Sequence, residues 1–435
     1  MSGTMRIARR AASAAVVTLL LAGCQDDPSA PAAELTAATR ASAVRSSLAP
    51  LGRAVFHDEN LSLRRNQSCA SCHDAAWGFS SPNSRLNAGG SVLPGSVRDR
   101  FGNRKPPSAA YATQAPVRFF DDVDGTYVGG NFWDGRATGA RLGSPAAEQA
   151  LGPFLNPVEM ALPDPACVVF RVSRGRYRQL FREALGRPGQ LPTFPANTEA
   201  LCAQEGSKIA LSPADSAAMM AQYDLIGLAV AAFEASPEVN SFSSKYDAVL
   251  GGRARFTLEE ARGFGVYNGK GGCFACHPAA GPQALFTDYT YDNIGVPANP
   301  ANPVYRTNPA FLDLGVGGHT GEPSEHGKVK VPTLRNLTRT GAPAGRKAYM
   351  HNGAFKSLEQ VVHFYNTRDV LPACEGVARP RFGINCWPAP EVSVNVNTDE
   401  LGNLGLNAEE EAALVAFLHT LDDGYESRGH APGGV

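Results

Sequence analysis

Cys69-Ala70-Ser71-Cys72-His73 and Cys273-Phe274-Ala275-Cys276-His277 are the stretches that decide how this sequence folds. Both read C-x-x-C-H, the attachment signature of a c-type haem. The spacing is chemical. Two thiols on one turn add to the two vinyl groups of the porphyrin, and the adjacent histidine gives the iron its proximal nitrogen. A zinc site would need paired cysteines converging on one ion, but the two motifs lie about 200 residues apart. A thioredoxin-like C-x-x-C would need a βαβ context, and none is legible. Each motif therefore marks its own haem: Cys69, Cys72 and His73 hold one, and Cys273, Cys276 and His277 hold the other.

Helix signals surround both motifs. Ser212 is an N-cap, Pro213 takes the first helical position, and an apolar run extends from Ala217 to Phe233. Thr257-Leu258-Glu259-Glu260, Ser357-Leu358-Glu359-Gln360 and Asn407-Ala408-Glu409-Glu410 are capping-box patterns that open three further helices. The last carries Leu414, Phe417, Leu418 and Leu421 as a core-facing stripe. Long segments rich in Gly, Pro and Asn lie between, and strand signals are few. The expected fold class is mainly α: two cytochrome-c-like haem domains with long loops, over residues 47–246 and 247–428, with a tail at 429–435.

The N-terminus reads as an export signal. Arg6, Arg9 and Arg10 precede the apolar run from Ala11 to Gly23, which is shorter than the roughly 20 residues a bilayer span needs. The run ends in Leu21-Ala22-Gly23-Cys24, similar to the bacterial lipobox, which implies cleavage before Cys24 and a lipid anchor there. Residues 24–46, rich in Ala, Ser, Pro and Thr, read as a flexible linker. No other apolar stretch reads as transmembrane, so the expected location is the periplasm, tethered by lipid alone. Cys167, Cys202, Cys374 and Cys386 remain unassigned. An oxidising compartment favours disulfides, and proximity favours Cys167–Cys202 and Cys374–Cys386 among the three pairings. With a net charge of −1 and no Lys/Arg stripe, nucleic-acid binding is excluded.

Around these motifs the chain resembles the bacterial di-haem cytochrome c peroxidase/MauG family. The resemblance rests on Leu51 to Phe56, Phe132-Trp133-Asp134-Gly135-Arg136-Ala137, Gly152-Pro153 and Asn156 to Met160. In the second half it rests on Phe286 to Asp288, Asn293 to Pro297, Val331 to Asn336 and Tyr349-Met350-His351-Asn352-Gly353. It implies that the haem of His73 is peroxidatic and that the haem of His277 passes electrons. Gln149 and Glu159 match the distal-pocket pair, and Trp133 matches the tryptophan placed between the haems. The resemblance also implies a calcium ion between the haems, forming a haem–calcium–haem axis. Asn103 matches its side-chain ligand, while the loop Thr340 to Lys347 is longer than usual and leaves the carbonyl ligands unassigned.

Two departures bear on the branch of the family. Members that need prior reduction carry a distal histidine after the first C-x-x-C-H, but no histidine occurs between His73 and His277. Fourteen residues after His351, where ordinary members have a methionine, stands Tyr365, as in MauG. Met350 and His363 are rival ligands. Helical geometry turns residues 363 and 365 about 200° apart, so only one of them can face the iron. The expected activity is peroxide reduction fed by a small c-type cytochrome or a cupredoxin. The alternative is a MauG-like oxidation of tyrosine or tryptophan in a partner protein. A non-enzymatic electron carrier is the third reading, and Gln149 and Glu159 argue against it.

Overall fold

Ser212 accepts a hydrogen bond from the Asp215 amide and opens the helix Pro213–Glu234. Thr257 opens Leu258–Asn268 and Asn407 opens Ala408–His419, each through a complete capping box. Ser357 caps Leu358–Thr367 by accepting from the Gln360 amide, but Gln360 reaches back to the amide of Lys356 rather than to that of the cap. This computed structural model describes residues 48–185 and 191–426. The expected signal (1–23), the linker with Cys24 and the tail at 429–435 lie outside the described residues.

The chain builds two hydrophobic cores. One draws on residues from Leu48 to Val239, the other on residues from Tyr246 to Leu421. The same helix crossing anchors each. Gly52, in the helix over 48–56, presses against the Ala229 carbonyl and the Phe233 Cβ; a Cβ on Gly52 would lie 1.8 Å from that oxygen. Gly263 meets the Ala413 carbonyl and the Phe417 Cβ in the same way, at 1.9 Å. Only a residue without a side chain lets the two backbones come so close. Two halves with one crossing between an early helix and the closing helix agree with a repeated haem-binding unit.

Strands are scarce: among the described residues, Phe119–Asp121 pairs antiparallel with Thr126–Val128, and Tyr291–Asp292 with Val329–Lys330. The remainder is helix and loop, so the fold is mainly α. The disulfides are Cys167–Cys202 and Cys374–Cys386, the pairings that proximity favours. One expectation needs correction. Pro213–Glu234 is long and apolar enough to cross a membrane, although the sequence reading found no such stretch beyond the N-terminus. It is the central helix of the first core, with Ile226, Ala229 and Val230 fully buried, and that burial accounts for its hydropathy.

Candidate haem centres

The first C-x-x-C-H forms one turn, Cys69–Cys72, with His73 as its C-cap. His73 Nδ1 lies 3.1 Å from the Phe79 carbonyl, and His277 Nδ1 lies 2.8 Å from the Phe286 carbonyl. A ring nitrogen committed to a carbonyl must carry the proton, which leaves Nε2 as a lone-pair donor directed elsewhere. Burial lowers the proton affinity of both histidines, so both rings are held neutral, as iron ligation requires. The four motif cysteines are free and line the same cavities. Burial pushes their thiols up, to about 12 for Cys72, Cys273 and Cys276, so they are poor redox or zinc thiolates. Thioether formation replaces S–H by S–C without burying charge. The residues present fit a c-type haem at each motif.

The cavity of His73, Cys69 and Cys72 is also lined by Gln149, Glu159 and Arg136. The Glu159 carboxyl is buried, and its Oε2 has no hydrogen-bond partner. Burial raises its pKa, while the Arg136 charge and a hydrogen bond from Asn156 pull it back in part. The Glu159 carbonyl accepts from the Ser96 amide at 2.7 Å, which fixes the backbone that carries the carboxyl. Gln149 sits on the helix Pro145–Leu155. The neighbouring Glu148 accepts from the amides of Gly139, Arg141 and Leu142 at 2.8, 2.7 and 3.0 Å. That carboxylate folds the stretch between Trp133 and Gln149, and Gln149 lines the cavity.

Trp133 lines both cavities, with Nε1 donating to the Lys105 carbonyl at 2.8 Å and its ring 6.4 Å from that of His351. Tyr365, on Leu358–Thr367, lines the cavity of Cys273, Cys276 and His277, as does Met350. Burial raises the Tyr365 pKa, so its hydroxyl keeps its proton unless a cation displaces it. His363 points the other way: Nδ1 pairs with the Glu411 carboxylate at 2.9 Å, and the ring lies 6.0 Å from that of Trp387, tilted by 46°. Asn103 lines the first cavity, and its carbonyl accepts from Asn302 Nδ2 at 2.7 Å.

Several groups here were not singled out from the sequence. Arg104 binds Asp313 through two nitrogens, at 2.7 and 2.6 Å, and Asp134 through the third, at 2.6 Å. This clamp joins the two halves beside Trp133. Glu234 ends the apolar helix with its carboxyl buried among both cavity walls and pushed up to about 8 by burial. A lone acid closing an apolar run was the only available signal. Lys105, Lys330 and Lys347 also line the large cavity, and burial pulls them down to about 8, 7 and 7.

The family model described as di-haem cytochrome c peroxidase matches residues 46–255. The methylamine utilization protein MauG of Paracoccus denitrificans is 35% identical over 86% of this chain and 88% of its own length. The chain belongs to the di-haem cytochrome c peroxidase/MauG family. A cytochrome-c peroxidase of Denitromonas iodatirespirans, IdrP2, is 29% identical over 89% of this chain and 85% of its own length. The crystal structure of the diheme peroxidase BthA of Burkholderia thailandensis superposes with a TM-score of 0.66 at 30% identity, covering 86% of each chain. The chain is thus a member of a peroxide-acting oxidoreductase family whose di-haem character implies haem c.

Proposed function

We propose that this chain reduces hydrogen peroxide at the haem attached to Cys69 and Cys72, with electrons arriving through the haem at Cys273 and Cys276 and across Trp133. The observation that carries this reading is Glu159, buried in the His73 cavity with one carboxyl oxygen unpartnered. A carrier of electrons has no use for such a group. When bound, the haem supplies the iron on which peroxide is held and the electrons that cleave its O–O bond. Glu159 takes a proton from the peroxide and delivers it to the departing oxygen, which is general acid–base catalysis. Burial lifts its proton affinity above that of an ordinary carboxylate, and the Arg136 charge and a hydrogen bond from Asn156 offset part of that rise. Gln149 orients the peroxide through its side-chain amide. Each peroxide consumes two electrons and two protons and leaves as two waters. A small c-type cytochrome or a cupredoxin is the donor class, and the periplasm, with a lipid tether at Cys24, is the location. The test is Glu159→Gln in the haem-loaded protein. Stopped-flow mixing with H2O2 should show a reaction slower by about 100-fold or more. A rate near that of the parent would remove Glu159 as the acid–base group.

A MauG-like second reading is favoured by Tyr365, which lines the second haem cavity. The absence of any histidine between His73 and His277 supports it too, as does the 35% identity to MauG. In that reading the electrons come from tyrosine or tryptophan side chains of a partner protein. Fully oxidised holoprotein mixed with one equivalent of H2O2, without reductant, separates the two. An immediate optical change supports the MauG-like reading. If nothing changes until the second haem is reduced, a reductively activated peroxidase is the better description.

A further inference from the structure

The surroundings of Asn103 do not fit the calcium ion that the family resemblance places between the haems. Calcium takes six to eight oxygens, and here three main-chain oxygens, those of Asn103, Ala342 and Arg346, already accept hydrogen bonds from the protein itself. The Asn103 carbonyl accepts from Asn302. In the 340–347 loop, the Arg346 carbonyl accepts from Asn87 Nδ2 at 2.8 Å, and the Ala342 carbonyl accepts from Thr340 Oγ1 and the Gly345 amide. Among the described residues, the one cluster of three or more Cys, His, Asp and Glu groups able to hold a metal is Cys276, Asp292 and Glu400.

Ammonium groups line the cavity shared by His73 and His277. Lys105 follows Asn103 by two residues, and its Nζ lies 5.7 Å from the Trp133 ring centroid. Lys347 closes the loop and donates to the Trp77 and Asn336 carbonyls at 2.9 and 2.8 Å. Lys330 donates to the Gly130 carbonyl and Asn131 Oδ1 at 2.9 and 2.8 Å. All three line the cavity that holds both His73 and His277. Among the described residues, none of the three is in an ion pair, whereas Lys245, Lys270 and Lys328 each have a carboxylate. A cation taken out of water is costly unless an anion meets it. The anions that haem c brings into such a cavity are its propionate carboxylates, two on each ring.

We infer that Lys105, Lys330 and Lys347 are the counter-ions of the haem propionates and supply the positive charge between the haems, so that this chain holds its haem pair without calcium. The test begins with the metal content of the purified holoprotein after passage over a chelating resin, followed by titration with EGTA. Calcium well below one per chain is expected, with optical spectra and reduction potentials unmoved by EGTA. Calcium near one per chain, lost to EGTA together with a spectral change, overturns the inference. Lys347→Gln provides the second arm. Removing a positive charge beside a propionate makes an added electron less welcome, so the haem potentials should fall. Unchanged potentials in this variant would also overturn it, whatever the metal content.

Discussion

Tyr365 and His363 stand two residues apart on one helix and do different work. Tyr365 lines the haem cavity, whereas His363 is paired with Glu411 outside it. The helical angle between them was legible in the sequence, because a C-cap-to-N-cap helix has a fixed pitch. Which of the two faced inward was not, since that depends on where Glu411 lands from a helix 48 residues away. Tyr365→Phe removes the hydroxyl and keeps the ring, so the cavity should stay filled. The expected result is a changed optical spectrum of the oxidised second haem in an otherwise intact holoprotein. An unaltered spectrum would take Tyr365 out of the ligand sphere and leave Met350, which lines the same cavity.

At the scale of elements, the caps were the most legible part. Ser212, Thr257, Ser357 and Asn407 all open the helices expected of them, because an N-cap is a local bargain between one side chain and one amide. The loops were not. The stretch before Gln149 is organised by Glu148, whose three accepted amide hydrogen bonds have no signature in spacing. The first disulfide does similar work on a longer scale, joining the helices Pro165–Arg174 and Thr198–Cys202 across 35 residues. Cross-linking a loop of that length restricts the unfolded chain by about 3–4 kcal/mol. The double variant Cys167→Ser, Cys202→Ser should lose stability of that order in urea denaturation. An unchanged midpoint would show that the disulfide carries no such constraint.

In the whole molecule, the seam between the two cores is held by Arg335. Its side chain is fully buried, donates to Asp247 at 2.9 Å through two nitrogens and to the Ala284 carbonyl through Nε, and packs against Tyr111 and Phe242. Tyr111 belongs to the first core and Asp247 lies beside the second. Removing one partner of a buried pair leaves the other charge stranded, so Arg335→Leu should cost about 3–5 kcal/mol. The pH dependence has a definite sign. Burial would raise the Asp247 pKa, but the hydrogen bonds from Arg335 and Ser244 outweigh it and hold it below the usual value. The stability from this pair is complete above a pH of about 4 and is lost as pH falls through the lowered folded value. In Arg335→Leu the Ser244 hydrogen bonds remain but the opposite charge is gone, so the folded pKa is higher than in the parent and acid relieves the stranded charge. The deficit of the variant, measured by denaturation across pH, should therefore be largest near neutrality and shrink in acid. A deficit independent of pH would mean that Arg335 acts by packing alone.

The sequence by itself determined the two C-x-x-C-H motifs, the helical class, the helix starts and the two disulfide pairings. Each of these is written in contiguous residues, or in cysteines few enough to pair by proximity. It also placed Glu159, Gln149 and Trp133 in register, though only through a resemblance. Tertiary structure decided the rest: that Glu159 is buried with an oxygen unpartnered, that Trp133 borders both cavities, and that three lysines line the cavity shared by His73 and His277. A lysine in a sequence is by default a solvated charge. Its burial, and so its need for an anion, exists only once segments more than 200 residues apart, such as those of Lys105 and Lys347, are folded around one space.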